Sequence, residues 1–465
     1  MQNFEQVLGY QLPVWSVAPF IGILLSIALF PLFAPHWWEK NMGKVSLFWS
    51  LVFVVPFFWA YGMDLAIYKV LHIYVLDYIP FIILLVALFT ISGGIIVRGT
   101  LKGTPLVNAG MLMIGTLLAS WIGTTGAAML LIRPLLRALQ DRKWKVHTVI
   151  FFIFMICNIG GALTPVGDPP LFLGFLHGVP FFWTMRLIGP MAFNILILVS
   201  LYLIMDFYLY KRETFSNHHD EVIPILKEEF VPIRIEGLKN LFFLAGVIGA
   251  VILSGLFNKH PLFIDSFTGE AIGIHLFQYQ GHDLIWSWVN LLRDGFILLM
   301  AGLSYKFTPS KLHQDNFFSW APIREVAILF AGIFMTMVPA LAILQARGGE
   351  LGVTTPTQFF WAAGILSSFL DNAPTYLTFL SLAGGLEAQT GVFTDLGTIA
   401  PAILMAISCG AVFMGANTYI GNAPNFMVRS IAEENGIKMP SFFGYMVWSV
   451  VILLPIFVLD MLIFF

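Results

Sequence analysis

The feature that most constrains the fold of this chain is that two short polar segments recur in two long apolar halves. Residues 118–127 read LASWIGTTGA and residues 366–375 read LSSFLDNAPT, while residues 161–172 read GALTPVGDPPLF and residues 415–426 read GANTYIGNAPNF. Glycine and proline interrupt each segment, so a continuous helix is disfavoured there. Broken helices at corresponding places of two halves are typical of inverted-repeat transporters, whose binding site lies where the halves meet.

The composition places the chain in a membrane. The residues are 58% hydrophobic and only 11% charged, whereas a soluble domain carries about 25% charged residues. Apolar runs of about 20 residues recur, which is long enough to cross a bilayer as a helix. We therefore expect an all-α polytopic membrane protein with inverted repeats, two re-entrant hairpins and broken helices. Its surroundings are the lipid bilayer, and the net charge of −2 does not suggest a nucleic-acid partner.

The apolar runs divide the chain into four parts. We expect N-terminal scaffold spans over 1–78, a first inverted repeat over 79–210, a cytoplasmic link with middle spans over 211–321, and a second inverted repeat over 322–465. The predicted spans are 17–35, 45–61, 79–97, 146–164, 186–209, 239–256, 284–305, 322–344, 398–420 and 441–464. The stretches around 105–132 and 355–385 are predicted hairpins that re-enter the membrane, because each is apolar on both sides of a polar tip.

Positive charge fixes the predicted topology. If both termini are external and both hairpins return to the side they left, most of the 24 Lys and Arg residues fall in cytoplasmic segments, as the positive-inside rule requires. An odd number of crossings then separates the hairpins, so the second repeat is inverted relative to the first. We expect a multi-pass protein of the inner (plasma) membrane.

The broken segment of the first half carries the first candidate site residues, Asn158, Thr164 and Asp168. A helix break frees carbonyl oxygens, and carbonyls, hydroxyls and a carboxylate are hard ligands for small cations. The alternative is a structural role, with Asp168 as the cap of a helix amino terminus. The matching segment of the second half, with Asn417, Thr418 and Asn422, favours the binding role.

The hairpin tips carry the second candidate set, which we expect to line one cavity with the broken segments. Its members are Ser120, Thr124 and Thr125 in the first half and Ser368, Asp371 and Asn372 in the second. By position Asp371 corresponds to Gly123, and Asn422 corresponds to Asp168. Each half thus supplies one carboxylate, and burial beside a second carboxylate favours the protonated form of such a group. A proton and a cation could then compete for Asp168 and Asp371, with Asn372 and Asn422 completing a sodium site. No cofactor is expected beyond the transported or coupling Na⁺ and H⁺.

Other polar residues of the apolar spans have less specific interpretations. Arg293 and Asp294 lie mid-span and, as neighbours on a helix, are not expected to face each other. We interpret them as an interspan ion pair that holds the scaffold, and the alternative is a direct role in transport. Asp206 and Asp460 lie near span ends and are expected to be solvated at the interface, and His147 is expected to be an ordinary histidine at a cytoplasmic helix end.

At its polar segments the chain resembles the ion transporter superfamily. NIGGALTPVGDPPLF (158–172), SSFLDNAPTYL (367–377) and GNAPN (421–425) are similar to segments of NhaD-type sodium/proton antiporters, of the allied citrate-transport family and, more loosely, of arsenite permeases. The resemblance covers roughly residues 80–465. It implies a scaffold and a transport domain in each protomer, a homodimer, elevator-like movement, and an ion site at Asp168, Asp371, Asn372 and Asn422. The chain departs from many relatives at Leu171, where they carry Asn.

The leading functional prediction is therefore a secondary active transporter, a sodium(lithium)/proton antiporter, and not an enzyme. Two carboxylates and several oxygen ligands, with no Lys or Arg near either tip, favour a cation. A sodium-coupled organic-anion transporter of the citrate type is the alternative. An intramembrane aspartyl protease would also use two buried Asp residues, but its Gly-x-Gly-Asp signature is replaced here by Pro165-Val166-Gly167-Asp168.

Overall fold

A computed structural model of the chain describes residues 2–99, 101–216, 232–258, 260–266, 269–386 and 388–465. It confirms an all-α polytopic membrane protein. The helices of the first half are α1 (Gln2–Gln11), α2 (Ala18–Phe33), α3 (Pro35–Tyr61), α4 (Met63–His72), α5 (Ile79–Gly93), α6 (Pro105–Ile122), α7 (Thr124–Ala138), α8 (Val146–Met155), α9 (Pro169–Leu176) and α10 (Ile188–Ser216). Those that follow are α11 (Lys239–Phe257), α12 (Trp288–Phe307), α13 (Ser310–Asp315), α14 (Ala321–Arg347), α15 (Pro356–Phe369), α16 (Asn372–Gly384), α17 (Pro401–Met414), α18 (Ala423–Glu434) and α19 (Phe442–Phe464).

Within the described residues, three small antiparallel sheets of two strands lie between helices. They pair β1 (Ile96–Arg98) with β2 (Arg234–Glu236), β3 (Gly273–Tyr279) with β4 (His282–Ser287), and β5 (Val392–Thr394) with β6 (Gly397–Ile399). The central part of the predicted cytoplasmic link, 217–231, lies outside the described residues.

The membrane-crossing helices follow from apolar length. Within the described ranges, nine helical segments are long and apolar enough to span a bilayer. One is Met63–Gly93, in which α4 and α5 are joined by the π-helical turn Ile73–Tyr78. Large apolar side chains on α3 and α19, such as Trp59 and Phe443, remain exposed. Exposed apolar surface on this scale is expected of helices that face lipid tails.

Both predicted hairpins form as two helices joined at a polar tip. In the first, α6 ends at Ile122 and Gly123 makes the turn with φ of +81°, a conformation that glycine adopts without strain. In the second, α15 begins with a capping box at Thr355 and the chain turns at Leu370–Asp371 before α16. The first hairpin extends to Ala138, further than predicted, and its first arm α6 is itself one of the nine apolar segments.

Several predicted span boundaries are wrong for local reasons. The predicted span 284–305 begins inside β4, and α12 starts only at Trp288, because Ser287 caps it by accepting a hydrogen bond from the Asn290 amide. The predicted span 398–420 is a helix only over Pro401–Met414, after which a 3₁₀ turn runs to Asn417. The predicted span 146–164 likewise breaks after Met155. The polar segments therefore shorten the helices that carry them.

The helices pack in two sets. The first set contains α1–α5, α11, α12 and α14, and the second contains the hairpins and broken helices, α6–α10 and α15–α19. Packing is most extensive within each set, as between α15 and α17 or between α11 and α12. The sets meet mainly where α14 packs against α16 and where α5 packs against α7.

Two carboxylates that were expected to be solvated at the membrane–water interface are in fact fully buried. Asp206 is 0% exposed because it is enclosed by polar side chains, accepting hydrogen bonds from Arg142 (2.5 Å) and Tyr202 (2.9 Å) and contacting His147 Nε2 (3.0 Å). His147 is therefore a buried partner of Asp206 rather than an ordinary histidine at a helix end. Asp460 is also 0% exposed, and Asn194 Nδ2 lies 2.9 and 2.7 Å from its two carboxylate oxygens.

The mid-span pair is also arranged differently from the prediction. Arg293 Nε donates to Asp294 Oδ1 at 2.8 Å, and another guanidinium nitrogen donates to Asn290 Oδ1 at 3.1 Å. The Arg side chain is long enough to fold back along its own helix, so adjacent residues meet although their Cβ atoms diverge. Among the described residues the pair is therefore local to α12, and it forms no hydrogen bond to another span.

The buried Asp206 yields a stability prediction. Asp206→Asn removes the charge that pairs with buried Arg142, so we expect the free energy of unfolding to fall by about 3–5 kcal/mol. Asp460→Asn is the matched control, because Asp460 follows Asp206 by 254 residues and its hydrogen bonds come from a neutral amide; its cost should stay near 1 kcal/mol. Thermal unfolding in detergent measures both. Equal losses would contradict the ion-pair argument.

Candidate functional site

The two hairpin tips dock on the broken segments in the same way. In the first half the Ser120 hydroxyl donates to the Gly160 carbonyl at 2.5 Å, and the Thr164 hydroxyl donates to the Ser120 carbonyl. The corresponding contacts of the second half are Ser368 Oγ to Met414 O (3.1 Å) and Thr418 Oγ1 to Ser368 O (2.5 Å). The paired residues are separated by the same 248 and 254 positions as the sequence motifs. The two halves therefore share equivalent hydrogen bonds as well as similar sequence motifs.

Glycines permit the close approach inside each broken segment. A Cβ on Gly167 would lie 2.2 Å from the Gly161 carbonyl oxygen, and a Cβ on Gly421 would lie 2.5 Å from the Gly415 carbonyl oxygen. Both contacts are to backbone atoms, which cannot move aside without pushing apart the two arms of the broken segment. The glycines of the motifs are thus needed for space, at equivalent places in both halves.

Asp168 lies where the hairpin tips meet the broken segments, and it is 1% exposed. Its Oδ1 accepts hydrogen bonds from Thr124 (2.9 Å) and Asn422 (3.1 Å), and its Oδ2 accepts one from Asn372 (2.7 Å). Thr124 and Asn372 are corresponding tip residues, and Asn422 corresponds to Asp168 itself. Asp168 immediately precedes α9 but makes no capping hydrogen bond with its side chain. Its carboxylate joins the two repeats instead of capping the helix.

Two buried amide oxygens of the polar segments lack a hydrogen-bond partner among the described residues. Asn158 Nδ2 donates to Asn425 Oδ1 at 2.8 Å, which joins the first broken segment to the second. Among the described residues, Asn158 Oδ1 and Asn372 Oδ1 have no hydrogen-bond partner although both side chains are 0% exposed. A Cβ built on Gly415 would lie 3.0 Å from Asn158 Oδ1 and 3.2 Å from the Gly421 carbonyl oxygen. Unpaired buried oxygens are costly, which makes these oxygens candidate ligands for a small cation.

Asp371 has a different environment. Its Oδ1 accepts a hydrogen bond from the Ala373 amide at 3.1 Å, so it caps α16. It also lines a cavity of about 100 Å³, the site cavity, together with Thr124, Thr125, Asp168 and Asn422. The other walls are mostly apolar and come from α5, α14 and α18. None of the described residues that line it is Lys, Arg or His.

The predicted site residues therefore divide by position. Those that converge directly on Asp168 are Thr124, Asn372 and Asn422, while Asp371 and Thr125 line the cavity beside it. Those that fasten the tips to the broken segments are Ser120, Thr164, Ser368, Asn417 and Thr418.

Two participants were missing from the predicted set. Asn425 donates to the Gly415 and Thr418 carbonyls as well as accepting from Asn158. The Gly421 carbonyl lies near Asn158 Oδ1, since a Cβ built on Gly415 would lie within 3.2 Å of both oxygens. The GNAPN motif could have indicated Asn425, because Leu171 stands at the corresponding place of the first half. Backbone carbonyls carry no such signal in a sequence.

A bundle of apolar helices that encloses one buried carboxylate between two pairs of broken elements defines a membrane transporter. The chain belongs to the family described as "Putative citrate transport", which matches residues 9–465. The resemblance to the citrate-transport family is thereby confirmed over nearly the whole chain.

Two of the individual relatives are also named as transporters. Two mycobacterial proteins, one from Mycobacterium tuberculosis and one from Mycobacterium bovis, are each named only as an uncharacterized transporter. Each is 26% identical to this chain over 340 residues, which is 72% of this chain and 71% of theirs. The human P protein is 26% identical over 204 residues, which is 41% of this chain and 22% of that protein.

Proposed function

We propose that this transporter exchanges sodium, or lithium, for protons, and that both bind at Asp168. The observation that carries the proposal is the set of donors around this carboxylate. Thr124, Asn372 and Asn422 are all neutral, so no cationic side chain among them compensates the charge of Asp168. A buried carboxylate is costly unless a proton or a cation neutralises it. Alternation between the two is what an antiporter requires.

The amide groups allow both forms of Asp168 to be accommodated. With Asp168 ionised, Asn372 Nδ2 donates to it while Asn372 Oδ1 has no described partner. Rotation of this amide by half a turn would present the oxygen to a protonated Asp168, which can donate its O–H. The unpaired oxygen of Asn158 and the Gly421 carbonyl supply the hard oxygen atoms that a small cation prefers.

We further propose that the second set of helices moves as a unit, in an elevator-like manner. The residues around Asp168 all belong to this set, whereas the site cavity is closed on its other side by α5 and α14 of the first set. Most of that boundary is apolar, including Phe81 and Phe330, and so offers few fixed polar contacts to sliding. We also propose that the protein is a homodimer in the plasma membrane and that both of its termini are external.

Transport of a citrate-type organic anion is the second candidate, and the description of the family favours it. A polycarboxylate would need compensation from co-bound sodium or helix amino termini, because the described cavity lining holds no Lys, Arg or His. The small, mostly apolar cavity beside two carboxylates argues for a small cation instead.

Flux in proteoliposomes separates the two candidates. Purified protein is reconstituted with a pH dye inside, and sodium, lithium, potassium, citrate and arsenite are added outside in turn. We expect sodium and lithium to make the lumen alkaline as protons leave, and citrate alone to have no effect. The rate should fall as both sides are acidified, because protons then occupy Asp168. Citrate uptake without sodium-driven proton movement would replace this proposal by the second candidate.

A further inference from the structure

A second cavity, of about 610 Å³, lies between the two sets of helices and apart from Asp168. The α14 residues that line it run from Val338 to Gln345, whereas those that line the site cavity run from Pro322 to Phe330. The two cavities therefore lie toward opposite ends of α14. In the described part of the chain, the charged or titratable residues of the second cavity are Lys69, His72, Asp77, His177 and Asp395.

Asp77 and His177 meet in this cavity from opposite sides of the boundary. His177 Nε2 lies 3.3 Å from Asp77 Oδ1, and the side chains are only 9% and 4% exposed. The contact lacks hydrogen-bond alignment, since Nε2 is not hydrogen-bonded to any described atom. Asp77 belongs to the π-helical turn Ile73–Tyr78, and such turns occur frequently at functional sites.

His177 is rigidly connected to the transport site. It ends α9, whose eight residues begin immediately after Asp168, so the two ends are roughly 12 Å apart along one helix. The His177 carbonyl accepts a hydrogen bond from the Asp395 amide at 3.0 Å, which ties it to the β5–β6 turn of the second set. Any movement of Asp168 with the second set would carry His177 away from Asp77 on the first.

Neighbouring contacts across the boundary are neutral. Ser381 Oγ donates to the Leu341 carbonyl at 2.9 Å, and Gln345 Nε2 donates to the Leu396 carbonyl at 2.9 Å. Of these three contacts, the one between Asp77 and His177 is formed by side chains that can gain or lose a proton. It is placed to make the strength of the boundary depend on pH.

The surrounding charges set the sign of that dependence. From the helix of Asp77, Lys69 and His72 also line the cavity, and from the β5–β6 turn Asp395 does. The described lining residues of α11, β4 and α14 are uncharged. A protonated His177 is attracted by Asp77 and Asp395 against the opposing charge of Lys69, whereas a neutral His177 loses this attraction.

We propose that Asp77 and His177 form a proton-controlled latch between the two sets of helices. The latch rests on the elevator-like movement proposed above, and it holds the state described here most firmly when His177 is protonated. Acidifying the compartment that the second cavity faces therefore slows the transport cycle. Histidine normally changes charge between about pH 5 and 8, so the effect falls within the physiological range.

Flux at different pH values tests the latch. Proteoliposomes with wild type, His177→Gln, Asp77→Asn or Ser381→Ala are acidified on one side at a time, and the flux of whichever of sodium and citrate the wild type carries is followed. We expect acid on one side to slow the wild type by about fivefold, the scale of a weak ion pair, because the contact lacks hydrogen-bond alignment. Both latch variants should lose the part of this inhibition that acid adds on the side of the second cavity, while keeping any slowing that comes from protonation of Asp168. Ser381→Ala, which removes a neutral contact, should be inhibited like the wild type. Unchanged inhibition in His177→Gln would overturn the latch.

A cross-link tests the movement without reference to pH or to the transported ion. In Asp77→Cys/His177→Cys, a short bifunctional thiol reagent should join the two positions and arrest transport, and a cleavable reagent should allow reduction to restore it. The native Cys157 and Cys409 are buried, and wild type treated alike is the control. Undiminished transport by fully cross-linked protein would show that the contact does not open. Absence of sodium-driven proton flux in the wild type would instead refute only the proposed antiport, because citrate uptake then serves as the readout.

Discussion

Asp168→Asn is expected to reduce sodium-dependent proton flux to the level of protein-free liposomes. Asn retains the size of Asp and one acceptor oxygen but cannot bind and release a proton. The three donors from Thr124, Asn372 and Asn422 would then face a neutral amide, which removes the charge that attracts a cation. The measurement is the lumen pH response to added sodium, with variant and wild type reconstituted at equal amounts.

Asp371→Asn is the matched control for that result. Asp371 caps α16 through the Ala373 amide, and Asp and Asn are about equally good amino-terminal caps. If only Asp168 carries the coupling proton, Asp371→Asn should retain sodium-driven proton movement with altered affinity. Loss of flux in both variants would assign the coupling to the pair of carboxylates, as the sequence alone predicts. Normal flux in Asp168→Asn would show that this carboxylate is architectural.

Gly167→Ala and Gly421→Ala are each expected to destabilise the protein and to abolish transport. The added methyl groups would lie 2.2 and 2.5 Å from the carbonyl oxygens of Gly161 and Gly415, so the two arms of each broken segment must separate. Overpacking of this kind typically costs about 1–3 kcal/mol. Because the hairpin tips rest on these segments, transport should be lost as well. Thermal unfolding in detergent and flux in proteoliposomes are the two readouts.

Gly110→Ala provides the control. Gly110 lies in α6, and a Cβ built there meets no atom within 4 Å, so alanine should be neutral or slightly stabilising through its higher helix propensity. Full activity of either Gly167→Ala or Gly421→Ala would mean that the crossing is looser than the structure describes. A severe defect in Gly110→Ala would indicate that this face of α6 is covered by another surface.

Much of this arrangement could be predicted from sequence because its causes are local. The glycines and prolines near Asp168 and Asn422 break helices wherever they stand, and the spacing of the two motifs identifies corresponding residues. The tips and broken segments of the two halves could thus be matched with each other from the sequence alone. The membrane class follows equally from apolar length.

What could not be predicted depends on how distant segments pack. Near a span end, Asp206 looks like a solvated residue until Arg142 and Tyr202 are seen to enclose it. The pairing of Arg293 with its neighbour Asp294 depends on a side-chain conformation that spacing does not encode. The contact between Asp77 and His177 likewise joins residues 100 positions apart in the chain, from segments without any shared motif.

The most direct measurement of cation and proton competition at Asp168 is proton release from purified protein. Sodium is added to the protein in weakly buffered detergent solution, and the pH change is followed with choline as the control ion. Wild type is expected to release protons with sodium and with lithium, and Asp168→Asn is expected to release far fewer. Equal release by the two proteins, or none by the wild type across the pH range in which it transports, would contradict the assignment of Asp168.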